Sequence, residues 1–454
     1  MQQSPAWGVQ RAGERPAAPE VREWYASGLH NLAPPERLIN LDQINQSIPM
    51  DADLLSATET CRLLGISQAT LYAYVSRGLL ESRPGPDHRS RLYPRQDVER
   101  LAQRKRVGRG AARGAAQSLD RGLPVLETRI SLIRPDGPYY RGQSAIASVR
   151  AGATLEDTAR LLWDCGDTDP FSAPLPDHWP ASVASIAGNP ALPPLVRAMS
   201  ALPLLGLETR QVASASPPVR HEIAAALLRH NAALLVAQAP YSGPVHELLA
   251  QTWRTGDDDF AELVRAALVL CAEHELNVSA FAARVVASTG AHLHATVCSG
   301  LAALSGPRHG GATARAYALI EAANAEISPR DLIADRWQRG DDLPGFGHAL
   351  YPHGDARAAE LWLRLRAAAS TEPAAMERLQ ALISAAEDVS GLKPNVDLML
   401  AAICQVHGLP AAPALILFAA GRLAGWLAHA LEQQAQGRLI RPRAAYAGEP
   451  PAAD

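Results

Sequence analysis

Apolar residues recur at helical spacing over most of this chain, and this pattern constrains the fold more than any other feature. From Thr154 onwards, Ala, Leu and Val recur in blocks that Pro and Gly separate, and few segments alternate strictly. Aromatic residues make up only 5% of the 454 residues. Because Ala and Leu favour helices while aromatic residues favour strands, the pattern predicts a mostly α-helical body of about 330 residues.

The composition is that of a globular protein without a strong electrostatic field. Apolar residues account for 47% of the chain, charged residues for 20%, and the formal net charge is −3. This charge alone attracts neither nucleic acid nor a membrane surface. The five cysteines include no CxxC pair, and no HExxH pattern occurs, so we expect no disulfide framework and no bound metal. Without an apolar leader, we expect a cytoplasmic protein with no membrane partner.

Residues 51–106 differ from the helical body and predict a separate small domain. A short helix ends at Gly65, Ser67 caps a second helix, and a third helical pattern begins at Pro94. The tight connection between the first two helices is typical of a helix-turn-helix, and the polar segment RPGPDHRSR would form a wing. This arrangement resembles the winged helix-turn-helix of MerR-type regulators and excisionases.

That resemblance implies DNA contacts by the second helix and by the wing. Side chains of the helix would face a major groove, and arginines of the wing would meet phosphate. The candidate DNA-binding residues are Gln68, Thr70, Tyr72, Arg77, Arg89 and Arg91. The alternative is a docking module that contacts no DNA.

The segments on either side of this domain are predicted to lack a core of their own. Residues 1–50 are rich in Pro, Ala, Gln and charge, so we expect a flexible N-terminal segment. Residues 107–119 are predicted to be a linker, within a stretch (RLAQRKRVGRGAARGAAQS) that holds six basic residues among Gly and Ala. This basic stretch would contact phosphate, or it would be a solvated linker.

The body is predicted to begin with two strands and a capped helix. The segment ETRISLIRPDGPYYRG indicates two short strands joined by a turn at residues 135–137. The next block is an amphipathic helix that ends at Trp163 and has Thr154 as its cap, with Asp157 three residues later.

One apolar stretch, residues 274–311, carries a histidine near each end. His274 lies beside glutamates, and His309 lies in a turn of Gly, Pro and Arg. The sequence predicts a buried helical element that separates the two histidines. Because a buried polar group costs stability unless it is hydrogen-bonded, two imidazoles at the ends of one such element predict a pocket.

Three more residues complete a set of groups able to carry out chemistry. His348, like His309, lies in a glycine-flanked turn that a ligand can approach closely. Asp397 follows a Pro-Asn pair and so falls in the first turn of a helix, where the dipole favours a carboxylate. Arg422 lies within an apolar helix, where it is costly unless paired with an anion. Each of these also has a purely structural interpretation, since buried histidines are usually hydrogen-bonded core residues.

These motifs, in this order, are similar to those of the citrate synthase family. The motifs are HELNVSAFAARVVASTG, GPRHGGA, GFGHALY with DARA, PNVDLMLAAI and RPRAAYAG. The resemblance implies an all-α fold with a large domain at residues 120–310 and 409–448 and a smaller, mobile domain at residues 311–408. It also implies a homodimer, a site in the cleft between the domains, and no cofactor.

The resemblance also implies a role for each site residue. Asp397 would remove a proton from the acetyl-CoA methyl group, His309 would stabilise the enol, and His348 would protonate the ketone oxygen of oxaloacetate. The candidate oxaloacetate-binding residues are His274, Arg357, Arg422 and, from the partner subunit, Arg441. The chain departs from the family pattern in that no basic residue closely follows His348. We expect this departure to affect the affinity for CoA more than the class of reaction.

Two other functions remain open from the sequence. Propionyl-CoA in place of acetyl-CoA would give 2-methylcitrate, and the motifs do not separate these donors. Alternatively, the helical body would sense oxaloacetate, citrate or an acyl-CoA without catalysis, and the helix-turn-helix would make the protein a transcription regulator. The intact His309, His348 and Asp397 favour catalysis, since a sensor has no need of a base.

Overall fold

The computed structural model describes most of the chain, which divides into two compact units, residues 1–121 and 122–454. The residues described are 54–76, 80–85, 90–95, 97–98, 126–208, 216–323, 327–368, 370–442 and 448. The predicted N-terminal segment and linker lie outside them, and so do Arg77 and Arg89.

The first unit is a small domain of two helices and three short strands in its described part. These elements are β1 (Leu54–Ser56), α1 (Ala57–Leu64), α2 (Gln68–Ser76), β2 (Arg83–Pro84) and β3 (Arg91–Pro94). The strands form an antiparallel sheet in the order β1-β3-β2. A capping box between Ser56 and Glu59 begins α1, and Gly65 ends it with a φ of 57°. The predicted helix-turn-helix is therefore confirmed.

This unit has its own apolar core. Its buried members are Leu55, Leu64, Leu71, Leu80, Tyr93 and Val98. Leu71 and Tyr93 are completely buried, so the middle of α2 and the strand β3 both contribute to this core. The burial of one face of α2 leaves its opposite face available to solvent.

The second unit is helical, apart from one small sheet in its described part. The sheet is an antiparallel β4 (Ser131–Arg134), β5 (Gly137–Tyr140) and β6 (Gln143–Ser144). The helices are α3 (Ala145–Arg150), α4 (Leu155–Trp163), α5 (Ala181–Ala187), α6 (Pro194–Glu208), α7 (Pro217–Leu235), α8 (Val245–Trp253), α9 (Asp258–Cys271), α10 (Val278–Ser288), α11 (Leu293–Leu304), α12 (Gly311–Ala323), α13 (Pro329–Arg339), α14 (Ala356–Ala367), α15 (Pro373–Ser390), α16 (Val396–Val406) and α17 (Ala412–Gln436).

The start of this unit agrees with the sequence prediction. β4 and β5 form the expected hairpin, with Arg134 opposite Gly137 across the turn. Thr154 and Asp157 form the expected capping box at the start of α4. Each side chain accepts a hydrogen bond from the other residue's backbone N–H, which satisfies two of the free donors at the helix start.

Helix α17 lies at the centre of the second unit. It contacts α4, α7, α9, α10, α11, α12 and α16, and most of its residues are buried. Gly425 allows the closest approach, because a Cβ there would lie 2.5 Å from the carbonyl oxygen of Ala272. By length and composition α17 could cross a membrane, but 94% of its most apolar window is buried inside the protein, as in the core helix of a globular domain.

The stretch between His274 and His309 is two helices, so the prediction of a single separating element is wrong. α10 ends at Ser288, and the chain turns at Gly290, which has a φ of 81°. α11 then runs back against α10. The left-handed backbone at Gly290 suits glycine because it has no Cβ. The two ends of the stretch are thereby brought together instead of being held apart.

A small cavity of about 180 Å³ is lined by three histidines, His178, His230 and His294, from three separate segments. His294 is only 3% exposed, and its Nδ1 atom has no hydrogen-bond partner in the part of the chain that the structure describes. Burial lowers the pKa of His230 and of His294 to about 4, so both imidazoles are neutral at pH 7.

We expect this burial to make the stability of the second unit depend on pH. The pKa of His294 is lower in the folded protein than in an unfolded chain, so protonation of this residue favours unfolding. Its effect on stability is absent above about pH 6.5, and stability is lost as the pH falls towards 4. At about pH 5, His294 alone should cost about 2 kcal/mol of unfolding free energy.

Urea unfolding at about pH 7.5 and pH 5 would measure this effect. His294→Leu should reduce the acid-induced loss of stability by about 2 kcal/mol. His178→Leu is the control, because the side chain of His178 is exposed. An unchanged pH dependence in His294→Leu would contradict the prediction.

Candidate active site

The hairpin of α10 and α11 places His309 against the first turn of α10. His309 follows the end of α11, and its Nε2 atom lies 2.8 Å from the Oγ atom of Ser279. Trp426 of α17 donates its indole N–H to the same Oγ atom at 3.1 Å. Ser279 is a site residue that sequence reasoning missed, because its proximity to His309 depends on the turn at Gly290.

His309 is a neutral imidazole at physiological pH. Burial, together with the positive charge of Arg422, lowers its pKa to about 4. Among the described residues, Nδ1 has no hydrogen-bond partner. The Ser279 hydroxyl has one proton and two acceptors, Nε2 of His309 and, also at 2.8 Å, Oδ1 of Asn277. When it donates to Nε2, the ring proton lies on Nδ1, which is then available as a donor; when it donates to Asn277, the ring proton lies on Nε2.

His348 lies in a loop that is bound to the start of α16. The N–H of Gly347 donates to the carbonyl of Lys393 at 2.8 Å, and the N–H of Asn395 donates to Gly345 at 2.9 Å. Within the loop, the N–H of Leu350 donates to His348 Nδ1 at 3.1 Å. Since a backbone N–H can only donate, Nδ1 holds the lone pair, and a neutral His348 carries its proton on Nε2.

His274 lies beside His348 and is only 7% exposed. The ring centroids of the two histidines are 5.1 Å apart. Nε2 of His274 lies 3.0 Å from the hydroxyl of Tyr351, a contact that the motif GHALY did not reveal. Burial, followed by the charges of Arg357 and Arg422, lowers the pKa of His274 well below its usual value.

The backbone after His274 has an unusual conformation. Glu275 has a φ of 55°, in the left-handed region that non-glycine residues rarely adopt. Such strain persists only where the surrounding structure imposes it, and it is common at functional sites. Here it lies in the connection between α9 and α10.

Arg357 is buried and forms an ion pair with Asp355. The Nη2 atom of Arg357 lies 2.8 Å from Oδ2 of Asp355, and Nε lies 2.9 Å from Oδ1. Asp355 Oδ2 also accepts the N–H of Val396 at 3.1 Å, at the start of α16. This paired carboxylate raises the pKa of Arg357 despite its burial. The bidentate geometry holds the guanidinium in one orientation.

Arg422 is buried without an ion pair, so the expected anionic partner is not a carboxylate within the described part of the chain. Its Nε atom donates to the carbonyl of Cys271 at 2.7 Å, and its guanidinium lies 4.7 Å from the centroid of Phe418. Burial lowers its pKa, which the negative charge of Glu273 partly opposes. Glu273 is itself engaged by Ser131 and His429.

Asp397 occupies the first turn of α16, as predicted. The side chain of Asn395 caps this helix by accepting the N–H of Asp397 at 3.0 Å. Burial raises the pKa of Asp397 to about 6, although the charges of Arg357 and Arg422 act in the opposite direction. Asp397 lines a cleft of about 530 Å³ together with Gly345, Phe346 and Asn395. It therefore combines access to a ligand with an elevated proton affinity.

These residues form one electrostatic cluster. The charge of Arg422 acts on the pKa values of His274, His309 and Asp397, and the charge of Arg357 acts on those of His274 and Asp397. Arg441 is the exception among the predicted substrate residues, because it is exposed in the segment after α17 and no contact joins it to the cluster. No group of three or more potential metal ligands occurs among the described residues.

The candidate DNA-binding residues occupy the first unit. Gln68 and Tyr72 lie four residues apart on α2, and both are exposed, Tyr72 to 54%. Thr70 is partly buried, and its hydroxyl lies 2.9 Å from that of Ser67, so it contributes to the helix start. Arg91 is exposed at the start of β3, the strand that would border the wing.

Two known families match the two units. Residues 118–443 match the family described as "Citrate synthase, C-terminal domain". Residues 54–106 match the family described as "Helix-turn-helix domain". Together these matches leave the beginning of the chain uncovered.

Curated relatives are similar to part of the chain. A citrate synthase from Haloferax volcanii is 38% identical over 192 residues, which are 42% of this chain and 51% of that protein. A 2-methylcitrate synthase from Shewanella oneidensis is 35% identical over 196 residues, with the same shares of the two chains. The chain thus spans about half the length of the curated relatives that it matches.

Solved structures share the fold. A citrate synthase from Thermoplasma acidophilum, in a ternary complex with carboxymethyl coenzyme A and oxaloacetate, has a TM-score of 0.62 and 23% identity and covers 73% of this chain and 96% of its own. A citrate synthase from Pyrobaculum aerophilum has a TM-score of 0.58 and 24% identity, with shares of 73% and 92%. With the match of residues 118–443, we conclude that this chain belongs to the citrate synthase family.

Proposed function

We propose that this protein condenses acetyl-CoA with oxaloacetate to give citrate and CoA. The observation that supports this most is the cluster around Asp397, in which one carboxylate of raised pKa, two neutral imidazoles and two buried arginines converge. A carboxylate with a pKa near 6 is a stronger base than an ordinary aspartate and is still ionised at pH 7. A base and hydrogen-bond donors of this kind are the groups that the condensation needs.

In the first step, Asp397 removes a proton from the methyl group of acetyl-CoA. The electron pair of the broken C–H bond moves onto the thioester oxygen as the enol or enolate forms. His309 donates the Nδ1 proton as a hydrogen bond to that oxygen, in the tautomer that forms when the Ser279 hydroxyl, 2.8 Å from Nε2, donates to the ring. A neutral imidazole is suited to this role because the pKa for loss of its N–H proton is closer to the pKa of an enol than the pKa of an imidazolium is.

In the second step, the enol carbon attacks the ketone carbon of oxaloacetate. The ketone oxygen takes a proton from Nε2 of His348, the nitrogen that bears hydrogen when Nδ1 accepts from Leu350. The product of this carbon–carbon bond formation is citryl-CoA. Water then cleaves its thioester, which releases citrate and CoA, and no metal or redox cofactor takes part.

Oxaloacetate carries two carboxylates, and the cluster offers two buried guanidiniums to receive them. Arg422, which lacks a carboxylate partner among the described residues, would bind one directly. Arg357 is oriented by Asp355, and His274 would add a hydrogen bond. We propose that Arg441 reaches the same ligand from the partner subunit of a homodimer, since the arginine is exposed within its own chain.

A closely related alternative uses propionyl-CoA and gives 2-methylcitrate. A relative that bears this name, from Shewanella oneidensis, is 35% identical to this chain, against 38% for the citrate synthase from Haloferax volcanii. The chemistry at Asp397, His309 and His348 would be the same for both donors. Assays that compare kcat/KM for acetyl-CoA and propionyl-CoA would decide between them.

Asp397→Asn should separate catalysis from folding. We expect CoA release from acetyl-CoA and oxaloacetate to fall by about 10³-fold, because the amide cannot accept the methyl proton. We also expect the unfolding free energy at about pH 8 to rise by up to about 3 kcal/mol, because the variant no longer buries an ionised group whose pKa is raised to about 6.

Asp388→Asn is the matched control. Asp388 is an exposed aspartate whose carboxylate lies 3.5 Å from the guanidinium of Arg330, and this contact involves no residue of the cluster around Asp397. It should retain the activity and the stability of the natural protein. Loss of both activity and stability in Asp397→Asn would indicate a structural role and contradict the assignment of the base. No CoA release by the unsubstituted protein with either donor would contradict the enzyme proposal.

The raised pKa of Asp397 also predicts the acid limb of the pH profile. Because the base must be ionised, kcat/KM for the acyl donor should fall about tenfold for each pH unit below about 6. His309, with a pKa of about 4, stays neutral through that range. An acid limb near pH 4, in protein that circular dichroism shows to be folded, would contradict the raised pKa.

The first unit suggests a further activity or an alternative one. We propose that it binds DNA through the exposed face of α2 that holds Gln68 and Tyr72 and through Arg91, with the predicted contributions of Arg77 and Arg89. In that case the protein is a condensing enzyme that also binds DNA, or a regulator whose second unit only senses metabolites. A cytoplasmic location without a membrane partner remains our prediction.

A gel shift of the full chain with genomic DNA fragments tests this proposal. Binding should weaken as salt rises, because phosphate contacts release counterions. Tyr72→Ala and Arg91→Ala should each weaken binding several-fold, whereas Arg330→Ala, an exposed arginine of the second unit, should not. Absence of binding at low salt would favour a docking module. Retained ligand binding without turnover would favour the regulator.

A further inference from the structure

The cleft beside Asp397 has an excess of negative charge. Its charged lining residues in the described part of the chain are Arg315, Asp341, Asp342 and Asp397. An acyl donor must enter this cleft for its methyl group to reach Asp397. CoA carries a diphosphate and a 3′-phosphate, so the natural donor would bring several negative charges to a wall that carries more acid than base.

The one guanidinium in this lining is already engaged. Arg315 lies 3.7 Å from Oδ2 of Asp342, and both side chains are largely exposed. Asp341 pairs with Arg339 at 3.0 Å, and Arg339 also pairs with Asp335 on the same helix. A phosphate that approaches Arg315 therefore meets the charge of Asp342 and competes with it for the guanidinium. The arginines of α13 are outside the lining of the cleft.

We propose that Asp341 and Asp342 set the donor selectivity of this cleft by weakening the binding of phosphate-bearing carriers. Asp342 acts in two ways, because it repels the phosphates and occupies Arg315. Asp341 adds a second negative charge at the same wall. The inference rests on the proposed function, since it takes this cleft as the donor entrance.

The consequence is a cleft that favours the uncharged pantetheine portion of the donor over its nucleotide portion. Replacement of one exposed carboxylate should tighten CoA binding by about threefold, and replacement of both by about tenfold. Both gains should shrink as salt rises from about 0.05 M to about 0.5 M, because salt screens exposed charges. In a cleft whose carboxylates do not limit its affinity for phosphate, the same replacements would leave CoA binding unchanged.

Calorimetric titration with two probes, CoA and pantetheine, tests the proposal on the full chain. The variants are Asp341→Asn, Asp342→Asn and the double replacement. Asp388→Asn is the matched control, because Asp388 pairs with an arginine at 3.5 Å on the surface much as Asp342 does at 3.7 Å. Adding Arg315→Ala to Asp342→Asn should remove part of the gain for CoA.

The expected result is tighter CoA binding in the three variants, unchanged pantetheine binding, and no change in Asp388→Asn. Equal CoA affinity in the natural protein and the double variant overturns the proposal, and so does an equal gain for pantetheine. Absence of CoA binding in every form overturns both this proposal and the donor assignment. By contrast, CoA binding with the expected gains but without condensation of acetyl-CoA and oxaloacetate overturns only the proposed function.

Discussion

A guanidinium buried without a carboxylate partner among the described residues is the constraint on which the rest of the site depends. Arg422 is 2% exposed in the central helix α17, where a backbone carbonyl and the face of Phe418 are its close neighbours. Removing such a charge from water costs several kcal/mol unless an anion compensates it. Glu273 is near enough to affect its pKa but forms no ion pair with it, and the Oε1 atom of Glu273 contacts Ser131 and His429 instead. The fold therefore maintains a positive charge that an anionic ligand would stabilise.

Burial has the largest effect on the pKa values of His274, His309 and Asp397, and the same positive charge acts on all three as well. Arg422 and Arg357 favour the ionised form of Asp397, and they disfavour protonation of His274; Arg422 does the same for His309. Burial and the arginines both lower the pKa of the imidazoles. On the carboxylate they oppose each other, because burial raises its pKa and the arginines lower it. The result is a neutral pair of histidines beside a carboxylate whose pKa is raised only to about 6.

Much of the fold could be predicted from the sequence, because its signals are local. The capping box at Thr154, the strand pair before it and the position of Asp397 in a first helical turn each depend on a few neighbouring residues. The contact between Ser279 and His309 could not, since it requires the chain to reverse at Gly290 within an apolar stretch that is helical on both sides. Likewise, the partners of Arg422 are set by tertiary packing, which periodicity does not contain. The roles of the site residues, and the domain limits within the second unit, remain predictions.

The attachment of the His348 loop to the start of α16 has a consequence for how this protein can evolve. Gly347 and Lys393, and Gly345 and Asn395, are joined by hydrogen bonds between main-chain atoms, and Phe346 pairs with Pro394 as an isolated bridge. Main-chain bonds are largely indifferent to side-chain identity, so positions other than Gly345 and Gly347, whose φ values of 88° and 71° favour glycine, can be substituted while the imidazole and the carboxylate keep their spacing. Sequence drift around the motif, such as the absence of a basic residue after His348, is thus uncoupled from the geometry of proton transfer.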